Sequence, residues 1–133
     1  MSNDDDERRD VTDDANDVYD SMRAMVRAMP SNNPGPYAYR ILGNLKLAGG
    51  SMLRDALNKM SDGLSRSLID FDNYMDDKSD PAAAVLKAKE HLARAARFAE
   101  MVGQELEMAQ SEIASLGYRT PGDVGYRAPE DRQ

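Results

Sequence analysis

Residues 85–116 read "VLKAKEHLARAARFAEMVGQELEMAQSEIASL". Within them Val85, Ala88, Leu92, Ala95, Ala99, Val102, Leu106, Ala109, Ile113 and Leu116 follow one another at alternating steps of three and four. That spacing keeps one stripe on one face of an α-helix, whereas a strand would alternate with period two. Asp80 and Pro81 supply a capping carboxylate followed by proline at the first helical position. Gly117 supplies a left-handed cap at the other end. The expected helix, 81–116, is roughly 54 Å long. Alanine at every second contact removes the bulk that normally holds helix axes about 8–10 Å apart. The stripe is therefore built for close helix packing. His91, the only histidine, sits at the stripe's edge beside Leu92, with Lys87 and Ala95 one turn away on either side. With no second ligand or carboxylate at helical spacing, it reads as a boundary residue and not as a proton carrier.

Working back along the chain, Leu53, Leu57, Met60, Leu64, Ser67, Phe71 and Tyr74 repeat the three-four spacing and predict a helix over 52–76. A shorter helix over 36–48 starts at Pro36 and carries Tyr37, Ile41, Leu45 and Ala48. Gly49 and Gly50 separate the two. Two interior glycines cost about 2 kcal/mol relative to alanine, so a break or sharp kink is expected there. A single bent helix over 36–75 is the alternative. The first helix, 11–29, carries Val11, Ala15, Val18, Met22, Met25 and Met29 on one face, and Pro30 with "SNNPGP" ends it. The fold expected is all-α: a helical bundle of three long helices and one short helix over 10–117. An acidic, disordered N-terminal arm (1–9) and a flexible Pro/Gly-rich C-terminal tail (118–133) flank it.

The first and third helices, roughly 28 and 38 Å long, cannot cover the fourth end to end. Self-association into a homodimer or larger assembly is expected, with the ten stripe residues as the interface. A coiled-coil-like protein–protein interaction module follows. Eight methionines fall mainly on the apolar faces, as core filling or as an adaptable groove.

Charge narrows the partners. The chain's net charge of −7 is concentrated in its first twenty residues, where nine acids face Arg8 and Arg9. Such an arm suits a second protein with a basic surface, and it disfavours general binding to nucleic acid. Residues 36–66 are the local exception, with Arg40, Lys46, Arg54, Lys59 and Arg66 against Asp55 and Asp62. There Tyr37, Tyr39, Arg40 and Lys46 interleave aromatics with bases, so a small nucleic-acid-associated regulator is the alternative. Cysteine is absent, which excludes disulfides and thiolate chemistry. The longest apolar run is 82–86, far short of a membrane span, and the acidic start does not fit a secretory signal. A cytoplasmic protein without a membrane partner is expected.

No residue pattern points to catalysis. There is no nucleophile elbow, no paired carboxylates on an apolar surround and no zinc spacing, so neither a catalytic residue, a cofactor nor a metal is expected. "DFDNYMDD" (70–77) would place Asp70, Asn73 and Asp77 on one helical face, yet it lacks the glycine and closing glutamate of a calcium loop. The glycine pair follows no strand and precedes no Gly-Lys-Ser/Thr, so it is not a phosphate loop.

Near the C-terminus "YRAPE" places Tyr126 and Glu130 in a Tyr-x-x-x-acid pattern beyond a helical hairpin. This resembles the export signal of the small helical substrates of type VII secretion. The resemblance covers five residues, and the chain has no tryptophan and so no Trp-x-Gly turn between the hairpin helices. It implies a third role, as a secreted helical substrate.

Overall fold

The computed structural model describes residues 10–132, so the acidic arm (1–9) lies outside the described residues. The chain divides into two compact units, Met1–Asn33 and Pro34–Gln133. Among the described residues all regular structure is helical. No described helix is long and apolar enough to cross a membrane.

Helix α1, Val11–Ala28, makes up the described part of the first unit. Asp10 caps it by accepting from the Thr12 backbone N–H at 2.9 Å, and that bond holds the Asp10 carboxyl below its ordinary pKa. Asp13 and Asp14 complement the dipole in the first turn. None of its residues is buried, so Val11, Val18, Met22 and Met29 keep an exposed apolar stripe.

The second unit is an antiparallel hairpin. Its first arm is α2, Gly35–Lys46, followed by a π-helical segment, Leu47–Met52, and α3, Leu53–Asp70. Its second arm is α4, Pro81–Glu112. Asp80 caps α4 through the Ala82 N–H at 3.0 Å. Residues at matched heights fix the register. Lys89 Nζ donates to Ser65 Oγ, Arg54 lies 4.0 Å from Glu100, Gly50 meets Gly103, and Gly43 meets Gln110.

The break expected at Gly49 and Gly50 does not occur. Lys46, Leu47, Met52 and Leu53 all keep right-handed helical backbone, and the arm runs unbroken from 35 to 70. The long and short helices expected at 52–76 and 36–48 are one helix with a π-turn in it. The reason is tertiary. A Cβ on Gly50 would lie 2.8 Å from the Gly103 Cα, and one on Gly103 would lie 3.1 Å from the Gly50 Cα. Two backbones touch where neither residue carries a side chain, and that contact offsets the propensity cost which argued for a break.

The helix ends also move inward. α3 stops at Asp70 and not at 76: Phe71 is extended, and Asn73 Nδ2 donates to the Ser67 carbonyl (2.7 Å) and the Phe71 carbonyl (3.2 Å). The acids at the C-terminus of the expected longer helix would have opposed its dipole. Residues 70, 73 and 77 therefore do not share a helical face. α4 ends at Glu112, four residues before the expected end, residues 113–116 continue as turns, and Gly117 does not take the left-handed conformation expected of it. Beyond Gly117 the tail carries turns and a short 3₁₀ segment, Pro129–Asp131.

Candidate interaction surface

The inward face of α4 is the expected stripe in its first half and a different one in its second. Val85, Ala88, Leu92 and Ala95 are half-buried against α3, and Ala96 and Ala99, each 4% exposed, are the only apolar side chains buried among the described residues. Further on, Gly103, Leu106, Gln110 and Ile113 point inward, while Val102 and Ala109 turn outward. A strict three-four stripe stays on the seam only if the helix supercoils. On a straight helix it drifts by about 20° per heptad, and an eleven-residue spacing holds the face instead. Leu92 with Gly103, and Ala99 with Gln110, keep that spacing. That spacing is the signal that marks the inward face, and apolarity alone hides it because a glycine and a glutamine hold two of its positions.

Gln110 is the buried polar residue of the seam, and its Nε2 donates to the Tyr39 backbone carbonyl at 3.1 Å. Gly43 leaves room for it, because a Cβ there would lie 2.8 Å from that Nε2. Leu116 is half exposed, but its side chain and carbonyl press on Gly35, where a Cβ would come within 2.6–2.8 Å. Small residues thus mark each close approach along the hairpin.

The two sides of the hairpin differ. Helical geometry, about 100° per residue, combined with the antiparallel run puts Ser65, Lys89, Arg54 and Glu100 along one side. That side also holds a groove of about 400 Å³ lined mainly by polar and charged residues, among them Lys46, Arg54, Glu100 and Glu107, with Leu47 and Gly103 also in its wall. The opposite side carries Leu53 (43% exposed) and Met60 (56%) from α3, beside Phe98 (61%) and Val102 (48%) from α4. The first side carries the charged pairing across the seam, with Leu47 also exposed in its groove, and the second carries a run of exposed apolar side chains.

The four candidate nucleic-acid contacts do not gather on one face. Tyr39 and Lys46 are seven residues apart, so they align at the polar edge, where Lys46 shares its groove with Glu100 and Glu107. Tyr37 and Arg40 point away from them, around the helix. His91 is exposed, with Nδ1 3.0 Å from an Arg94 guanidinium nitrogen. Asp70 lies 3.8 Å from Arg66, and Asp77 accepts from the Ser79 hydroxyl and N–H, which hold its carboxyl below the ordinary range. These acids are engaged locally, and among the described residues no three His, Cys, Asp or Glu side chains converge as metal ligands.

Comparison with protein-family models, curated proteins and solved structures finds no match for this chain.

Proposed function

We propose that the chain is a non-enzymatic helical interaction module, cytoplasmic in setting, whose hairpin associates with a second copy through the apolar side. One observation carries this reading: the only apolar side chains buried in the hairpin are Ala96 and Ala99, while Leu53, Met60, Phe98 and Val102 stay exposed on one side. Two helices around two alanines make a poor core, and a second hairpin laid on the apolar side would complete a four-helix one. The acids of α1, most of them exposed, and the further acids of the preceding sequence add a second partner to the reading, a protein with a basic surface. Sedimentation at tens of micromolar tests the self-association. A dimer or larger species is expected, and a single monomeric boundary at that concentration sinks the proposal.

A second reading, an exported substrate resembling those of type VII secretion, is favoured by one placement. Tyr126 and Glu130 follow an antiparallel helical hairpin, with Glu130 in the 3₁₀ segment. In a host with such an apparatus, export would be lost on Tyr126→Ala. Equal amounts of native and variant protein in the medium would dismiss this reading.

A further inference from the structure

The tail beyond α4 folds into a cavity of about 250 Å³ whose wall is unusually rich in arginine. Arg119, Arg127 and Arg132 line it together with Tyr118 and Tyr126, and no carboxylate contributes to the lining. All these residues come from a segment built by tight turns. The Asp123 carboxylate accepts from the Thr120 N–H at 2.7 Å and from its hydroxyl at 3.0 Å, and the Tyr126 N–H donates to the Asp123 carbonyl at 3.1 Å. Gly122 and Gly125, at φ +99° and +83°, reverse the chain in backbone conformations that other residues rarely adopt. A Cβ on Gly125 would stand 3.2 Å from Arg119 Nε, so the absence of a side chain there is what lets that guanidinium approach.

Among the described residues no carboxylate neutralises the charges at this site. Asp123 is turned to Thr120, and those two hydrogen bonds hold its carboxyl below the ordinary range, while Glu130 and Asp131, closer in sequence to Arg127 and Arg132, do not line the cavity. Among the described residues no carboxylate forms an ion pair with Arg119, Arg127 or Arg132. Arg132 is held in place, with Nε donating to the Arg127 carbonyl at 3.0 Å and its guanidinium 5.7 Å above the Tyr126 ring. Its terminal nitrogens remain available. Three guanidinium groups around one concavity repel each other unless an anion lies between them. Their planar forks match the oxygen geometry of phosphate.

We propose that Arg119, Arg127 and Arg132 form a binding site for a phosphate-class oxyanion, either the free ion or a phosphate monoester whose organic group lies against Tyr118 and Tyr126. The proposal is independent of the self-association reading, since the tail lies outside the hairpin side that carries it.

Titration calorimetry at low ionic strength on the full chain tests the site, with inorganic phosphate and phenyl phosphate as the two probes. Saturable binding is expected for at least one. Arg119→Gln and Arg127→Gln should each weaken it about tenfold or more, as the loss of a charge-assisted hydrogen bond implies. Lys87→Gln, which removes the same charge from α4, should leave the affinity unchanged. Tighter binding of phenyl phosphate would identify a monoester as the ligand, and equal or weaker binding the free ion. Absence of saturable binding to either probe would overturn the proposal, as would equal weakening by all three variants, the mark of a general charge effect. Unchanged helical circular dichroism in the tail variants keeps a folding defect from imitating the result.

Discussion

Gly50→Leu is expected to destabilise the hairpin by about 1–3 kcal/mol, read as a lower denaturant midpoint at constant slope. The Cβ alone would fall 2.8 Å from the Gly103 Cα, and that atom is backbone, so relief requires the two helices to move apart. Separation at this height would also loosen the half-buried seam on either side, from Leu57 to Leu45 on the first arm. Gly49 supplies the control. Nothing lies within 4 Å of a Cβ built there, so Gly49→Ala should stabilise by ~0.5–1 kcal/mol through helix propensity. Opposite signs at adjacent glycines are the result that the contact requires. If both substitutions stabilised, the Gly50–Gly103 approach would not exist in solution.

Replacing Phe98 and Val102 together by glutamate is expected to weaken self-association by about a hundredfold, roughly 2.8 kcal/mol. Both side chains are about half exposed or more within one chain, so the change adds no buried charge to the isolated hairpin. In an assembly closed over the apolar side, the same glutamates would be desolvated without partners. Helicity should then become concentration-dependent, because a hairpin with so small a core gains stability by mass action with its partner. Gln104→Glu on the polar side should leave association unchanged. A double variant with native sedimentation would show that this side is not the contact surface.

How much could be read from residues alone differs from element to element. The start of α4 was legible to the residue, because Asp80 and Pro81 act within one turn and answer only to local backbone chemistry. For α1 the residues offer both Asp10 and Thr12 as caps, and the structure uses Asp10, with the helix starting at Val11. The all-helical class followed from spacing that no strand could share. His91 read as a boundary residue, and it lies exposed beside Arg94. At the glycine pair the structure takes the single-helix alternative and not the favoured break, because propensity counts the cost of a glycine in the helix that holds it and cannot see the helix across from it. The second half of the α4 stripe went the same way. Val102 and Ala109 look better suited to a core than Gly103 and Gln110, but the burial pattern follows the eleven-residue spacing, which places Gly103 and Gln110 inward.

The basic and aromatic segment around Tyr37, Tyr39, Arg40 and Lys46 shows the same limit on a candidate site. Proximity in sequence suggested one surface, and helical rotation divides it in two. Conversely, Arg119, Arg127 and Arg132 are spread over fourteen residues of a tail that read as flexible, and only its turns bring them to one cavity. What the sequence determined by itself was the helical class, the start of α4 and the placement of charge, because caps, spacing and composition act through neighbours along the chain. The tertiary structure alone decided the unbroken first arm, the inward face of α4, the uncovered apolar side and the arginine-lined cavity. Each of these depends on what lies opposite in space, and no local preference encodes it.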